Sequence, residues 1–390
     1  MQRSKSTIRK VDRVREALTH KEPDRIPIHE FFWTSFLTRW RQELGLPKDA
    51  SPYKYYDLDL MVVIPNLDPC IRQMETLKGD ENERVVRTGF GALVRKVYAF
   101  PMPEYAGFET DSIGKVKDFH FDDPADARRF MAAIDDHVNC VGDDRVEHIA
   151  SSFMERVKNA YMDFAVFGTV IDASEYMVRS IGQANMLLWI GMYPEVVGEF
   201  ARRINAFMVD LLEAQIEAAG GLLDGLYLAG DVAYVNGMLF APDYWRQYFK
   251  PGLKAMCDVA HRHGLPVFYH GCGNVTDILE DFIEVGIDGV HPLEAKAGLD
   301  MLQIRKRLGH RLAFFGNMDV RLWGRGDRKE IEAYTLRKLN AAKGGGYIFS
   351  SDHSVPSSVS GETYDYLVRL VREHGAYPIH LGEFDLPDFS

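Results

Sequence analysis

The chain has 390 residues, 46% of them hydrophobic and 26% charged, which suits one soluble barrel of roughly 250 to 400 residues better than a fibrous or low-complexity protein. A formal net charge of −11 leaves no surplus of Lys and Arg to neutralise phosphates, which argues against nucleic acid as the main partner, and four cysteines (Cys70, Cys140, Cys257, Cys272) are too few for a disulfide scaffold. The most apolar windows, such as Leu58 to Pro65, fall far short of the roughly 20 residues of a membrane span, and Met1 to Lys5 lead into a charged stretch without an apolar signal core, so the expectation is a cytoplasmic protein off the membrane.

Taken in chain order, Met1 to His20 has helical character and should plug or flank whatever follows. Eight short apolar runs bounded by turn residues come next: Arg25–Ile28, Leu60–Ile64, Phe164–Phe167, Gly225–Leu228, Pro266–Tyr269, Asp288–Val290, Leu312–Phe315 and Gly346–Phe349. From the fourth run onward most are separated by helical periodicity, as over Tyr244–His263, Val275–Val285 and Glu330–Ala342. Strands alternating with helices imply a parallel sheet, and eight of them close most easily into an α/β (β/α)8 TIM barrel. An open doubly wound sheet is the alternative, but it would bring a glycine-rich loop opening a helix, whereas Gly344-Gly345-Gly346 precedes a strand.

Residues 67–160 interrupt this repeat, and the reading is one domain over 1–390 with an insertion there. Within it, Arg84 to Phe100 alternates around Thr88-Gly89-Phe90-Gly91 like a hairpin, and Asp118 to Asn159 reads as helical and charged. The tail from Ile379 to Ser390 reads as loosely ordered or as part of a homodimer contact.

Each run is followed by polar or metal-capable side chains: His29, Glu30, Asn66, Asp231, His270, Cys272, His291, Asn317, Asp319, Asp352 and His353. In a barrel these positions ring one mouth, the usual place of an active site. The sharpest local feature is Tyr269-His270-Gly271-Cys272-Gly273-Asn274, where a nitrogen and a sulfur two residues apart can point at one ion. Zinc accepts such a mixed set, with three protein ligands and an open position when catalytic, and His353 can supply the third. The same pair also fits a buried structural histidine beside an inert thiol.

The chain resembles the uroporphyrinogen decarboxylase superfamily, which also contains zinc-dependent, corrinoid-linked methyltransferases. The resemblance is carried by Arg13-Val14-Arg15-Glu16-Ala17-Leu18 with Glu22-Pro23-Asp24-Arg25-Ile26-Pro27, and by Gly230-Asp231 with Phe240 to Trp245 and Phe249-Lys250-Pro251. His270-Gly271-Cys272-Gly273-Asn274 and the stretch from Gly345 to Pro356 complete it. True porphyrinogen decarboxylases carry an arginine-bearing segment after the first strand, where this chain has Phe31-Phe32-Trp33-Thr34-Ser35-Phe36, and an Asp where it has Asn66, with Asp68 nearby. The methyltransferase branch resembles it better, with one departure: a second Cys near the last strand is replaced by His353.

The resemblance implies a zinc-dependent enzyme moving a methyl group between a small methylated substrate and a separate corrinoid (cobalamin) protein. His270, Cys272 and His353 would hold zinc, and Asp231, Asp352 and Glu30 would act in catalysis, Glu30 as fourth ligand or general acid. His29, Asn66, Tyr234, Asn274, His291 and Asn317 would bind substrate. The aromatics Phe31, Phe32, Trp33, Tyr234 and Trp245 would suit an aryl methyl ether. Asp135-Asp136-His137 begins like a cobalamin signature, but Cys140 stands where glycine is needed, so the corrinoid is expected on a partner. The rival reading is a metal-free decarboxylase or lyase on a small carboxylic acid, with His353 and Asp231 as acid–base groups.

Overall fold

The computed structural model describes residues 2–98, 100, 103–133 and 151–381, so Asp135, Asp136, His137, Cys140 and most of the C-terminal tail lie outside the described residues. Among these, Cys70, Cys257 and Cys272 are free thiols.

Helix α1 (Lys5–Leu18) starts at a Ser4 cap whose hydroxyl accepts from the Thr7 amide. The first barrel strand proper is β1 (Leu60–Val63), followed by an inserted antiparallel sheet of β2 (Glu75–Gly79), β3 (Glu83–Arg87), β4 (Ala92–Val97) and β5 (Glu104–Phe108). The barrel resumes with β6 (Ala165–Ile171) and β7 (Gly225–Ala229), and a small ribbon of β8 (Ala233–Tyr234) and β9 (Gly237–Met238) follows. Then come β10 (Val267–His270), β11 (Gly289–His291), β12 (Ala313–Phe315) and β13 (Tyr347–Ile348). The main sheet is parallel and runs β1-β6-β7-β10-β11-β12-β13, the chain order expected of a βα repeat.

The run at Arg25–Ile28 forms no continuous strand, yet it occupies the eighth place. The Phe349 amide donates to the Pro27 carbonyl, the His29 amide to Phe349, and the Asp59 amide to the Ile28 carbonyl, so this segment links the two edges of the sheet. Pro23 and Pro27 have no N–H to give, which limits the segment to isolated bridges. The insertion is wider than a hairpin: four strands, then short helices at Ile113–Lys117, Arg128–Met131 and Phe153–Tyr161. The helical stretch at Tyr244–His263 is two helices, Pro242–Tyr248 and Lys250–Arg262, the break falling just before Pro251.

The period of two in each strand decides what the barrel contains. Leu60, Ala165, Phe167, Tyr227, Phe268, Ala313, Phe315 and Ile348 form an inner cluster with Val14, Ala17 and Leu18 of α1, which therefore plugs the end opposite the mouth. Their strand neighbours Val166, Leu226, Leu228, Val267, Val290 and Phe314 belong to the larger outer core under the helices. Counting on by two from Phe268 and Gly289 puts His270 and His291 inside, at the other end of the same lumen. The plugged end is locked by ions: Asp59, fully buried, receives Arg13 at 2.5 Å and Arg25 at 2.8 Å, and the Ile28 amide at 2.7 Å. Arg13 also grips Asp24 at 2.7 Å, so the N-terminal signature residues build this lock.

Candidate active site

His270 ends β10 and Cys272 follows after one glycine. In register, His270 stands beside His291 of β11 and Ala229 of β7. Its Nε2 lies 3.5 Å from the Cys272 sulfur, and its Nδ1 lies 2.7 Å from the Nδ1 of His291. The turn that aims Cys272 is held from both sides. The Asp231 carboxylate accepts from the Cys272 amide at 2.9 Å, and that of Glu294 accepts from the Gly273 amide at 3.0 Å. Gly273 has φ +81°, and a Cβ there would sit 2.6 Å from the backbone of Ala233 and Tyr234, so only glycine lets the ribbon close over the turn.

Among the described residues two sets of ligand atoms converge, each within 4.8 Å of one another: Asp231, His270 and Cys272, and Cys272, Glu294 and His353. The loops after β10 and β13 therefore meet at the Cys272 sulfur. Burial pushes the Cys272 thiol well above its usual range, and the Asp231 and Glu294 carboxylates push it the same way. Burial lowers His270 to about 4, and lowers His353 to about 4 with help from His270 and Lys296, so both imidazoles are neutral at pH 7 and have a lone pair to offer. Two carboxylates crowding a buried thiol are an electrostatic burden that a divalent cation would reverse, so the donor set fits zinc chemically.

A cavity of about 330 Å³ opens beside this cluster, walled by Phe31, Val62, Ile64, Ile171, Tyr227 and Ala229, with Asp231 and His270 at one end. Its charged wall is the pair Arg179–Glu175 at 2.8 Å, one turn apart on the helix Ala173–Ile181. The Tyr227 ring lies 5.6 Å from that of His270 and 5.7 Å from that of Phe31.

The remaining sequence-derived positions fall into other places. His29 and His291 are fully buried behind His270 and do not line the cavity. Asp352 is buried and its carboxylate accepts from the amides of Val320 at 3.2 Å and Lys296 at 3.4 Å, tying together the loops that carry Glu294 and His353. Glu30 is fully buried and accepts from the Ser351 hydroxyl and amide at 2.7 and 2.9 Å and from the Phe31 amide at 3.0 Å; it stands in neither ligand set. Burial raises its carboxyl to about 8 despite these donors.

Asn317 gives its amide to Leu293 and Leu299 at 2.6 and 2.7 Å, and its oxygen accepts from Lys338 and the Met301 amide. Asn274 is likewise engaged with Ala297 and the Thr276 amide. Asn66 accepts from the Asp68 amide at 3.1 Å, and Tyr234 is half-exposed on the rim ribbon. Of the five aromatics, Phe31 lines the cavity, and the Trp33 ring lies parallel to that of His353 at 6.2 Å. Phe32 stacks on Phe36, and Trp245 is buried against Phe282.

Sequence reasoning missed Glu294, Lys296, Tyr227, Glu175 and Arg179. Glu294 carried a faint signal, as a carboxylate three residues past His291. Leu293 takes φ +48° in the turn that precedes it, and Lys296 pairs with it at 3.0 Å.

A sequence model of the uroporphyrinogen decarboxylase (URO-D) family matches residues 111–374, more than half of the chain. The chain belongs to the uroporphyrinogen decarboxylase family. A curated uroporphyrinogen decarboxylase of Magnetococcus marinus is 29% identical over 165 residues, which cover 38% of this chain and 41% of that protein. The chain thus matches well under half the length of that relative. A solved structure described as a methyltransferase from Methanosarcina mazei shares the fold, with TM-score 0.63 and 16% identity, over 93% of this chain and 98% of that one. Among the described residues no helix is long and apolar enough to cross a membrane.

Proposed function

We propose that this member of the family is a zinc-dependent methyltransferase that moves a methyl group between a small methylated substrate and a separate corrinoid protein. The observation that carries the reading is the convergence on Cys272: His270 and Asp231 from one side, His353 and Glu294 from the other, beside an apolar cavity. Likeness of fold to the Methanosarcina methyltransferase supports it.

His270, Cys272 and His353 would hold the ion and leave a fourth position for the substrate, with Asp231 and Glu294 beside the set. Bound there, zinc would supply Lewis acidity to the heteroatom that carries the methyl group. Two neutral imidazoles and one thiolate leave more of the dication's charge uncompensated than two thiolates would, which strengthens that polarisation. The chain's own residues do the rest. Phe31, Tyr227, Val62 and Ile171 offer a dry wall for a flat, uncharged body such as an aryl methyl ether, and exclude water from it. Asp231, half-exposed at the end of the cavity, holds the Cys272 turn through the backbone amide and is placed to orient the substrate. Asp352 fixes the loops that present Glu294 and His353.

Elemental analysis of the purified chain tests the metal: about one zinc per chain is expected, lost together with activity in Cys272→Ala. Demethylation of a methoxylated aromatic should require an added corrinoid protein. Full activity of a metal-free protein on a carboxylic acid substrate, with release of carbon dioxide, would instead establish the lyase reading.

A further inference from the structure

Thr169 is a polar residue in an apolar place. It lies on β6 two residues past Phe167 of the inner cluster, so its side chain faces the lumen, and it lines the cavity that His270 closes. Thr169 is 3% exposed, and its hydroxyl has no hydrogen-bond partner among the described residues. Its backbone, by contrast, is held on both sides of the peptide. The buried Gln215 side chain accepts from the Thr169 amide at 3.0 Å and donates to the Thr169 carbonyl at 3.0 Å. Gly168 makes room for this clamp, since a Cβ there would lie 2.3 Å from the Gln215 oxygen. The strand is thus fixed in place, and a buried hydroxyl is left over.

In register Thr169 stands beside Tyr227 of β7, which in turn pairs with Phe268 of β10. That puts Thr169 on the level of Phe268, two residues or about 6–7 Å deeper in the lumen than His270. The Tyr227 ring spans the interval, 5.6 Å from the ring of His270 and 5.7 Å from that of Phe31. An aromatic slot therefore runs from the His270 end of the cavity, along Tyr227, to Thr169. The described charged groups on its wall are Glu175, Asp231 and Arg179, and Arg179 is already held by Glu175 at 2.8 Å. A carboxylate carried into this slot would lose its hydration and meet two carboxylates for one committed guanidinium. A neutral hydroxyl both donates and accepts, as the threonine hydroxyl does.

We infer that Thr169 is a specificity residue that reads a neutral hydroxyl on the end of the substrate remote from its methyl group, so that a methoxyphenol is preferred to a methoxybenzoate or a plain methoxyarene. The methyl-bearing end rests on the proposed function, whereas the hydroxyl subsite does not. The hydroxyl and methyl of threonine share one Cβ, so at most one χ1 step turns the hydroxyl into the slot. A ligand without a hydroxyl leaves that group unmet.

Titration calorimetry on the full-length chain with para-methoxyphenol, anisole and para-methoxybenzoate tests the inference. The phenol should bind about 10-fold more tightly than anisole, and the benzoate most weakly. Thr169→Val keeps the shape without the hydroxyl; it should bring the phenol down to the level of anisole and leave anisole unchanged. Thr169→Ser should retain the preference. Equal affinity for phenol and anisole in the unmodified chain, tighter binding of the benzoate, or no binding of the phenol overturns the inference without recourse to a variant. A preference that survives Thr169→Val also overturns it, because another group would then read the hydroxyl. The expected pattern in a chain that takes up no zinc supports the hydroxyl subsite and overturns the proposed function alone.

Discussion

The two ends of the barrel lumen treat buried polar groups in opposite ways. At the plugged end Asp59 is as buried as any residue in the protein, and its oxygens are met by two guanidinium groups and an amide. At the mouth a thiol sits between two carboxylates and neutral imidazoles, and two buried ring nitrogens, of His29 and His291, have no partner among the described residues. Both ends are built from residues just outside strands. What differs is whether the charges cancel inside the chain. At the closed end they do, and the group contributes to folding; at the mouth Lys296 offsets Glu294 alone, and the Asp231 charge beside the thiol is what the proposed cation would meet.

The largest effect that can break this comparison is at the closed end. Asp59→Ala leaves Arg13 and Arg25 without their shared carboxylate and should cost about 3–5 kcal/mol in denaturant unfolding. Loss of under 1 kcal/mol would mean that the ion lock is ornamental. At the mouth the sign reverses: zinc at about 100 times its dissociation constant should stabilise the chain by about 2.7 kcal/mol, and Cys272→Ala should abolish that gain. A melting curve indifferent to zinc would remove the asymmetry between the two ends.

Below these comes Gly273→Ala, where positive φ and the ribbon backbone at 2.6 Å both oppose a Cβ. It should cost about 1–3 kcal/mol and loosen zinc binding by displacing the Cys272 turn. The smallest effect per unit of pH concerns Glu30, whose folded pKa of about 8 stands above its usual 4.5 through burial. The folded state then holds one more proton than the unfolded state between these values. Stability is therefore fully present below pH 4.5 and lost as pH rises toward 8, by up to about 1.4 kcal/mol per pH unit. Glu30→Gln should flatten that slope in urea titrations, and an unaltered slope would place the carboxyl's pKa near its ordinary value.

Much of this was legible in the sequence for physical reasons that can be named. Short apolar runs ending in polar residues located seven strands to within a few residues, because a parallel strand buried on both faces has no polar position until it leaves the sheet. The run at Arg25–Ile28 was legible as a place in the barrel but not as a bridged segment, since that depends on which partners Pro27 leaves available. The four-stranded extent of the insertion was hidden because β2 and β5 are largely exposed and lack an apolar alternation.

At the site, His270 and Cys272 were visible because a ligand pair on one turn is a local pattern. That His353 comes to Cys272 from some 80 residues away was an expectation from its place past the last strand and from resemblance, and the closed parallel sheet is what brings their loops together. Nothing local distinguished the strand-end histidines: His270 reaches the cavity, whereas His291, beside it in register, points at the back of its ring. Nor did anything local mark Asn317 as a loop tie. By itself, then, the sequence determined the alternation of strands and helices and the chemistry available at their ends, because both follow from side-chain type and spacing along the chain. Only the tertiary structure decided which of those groups share a cluster and which brace one another, because that is set by barrel closure and strand register, where one residue's shift moves a side chain from lumen to outer core.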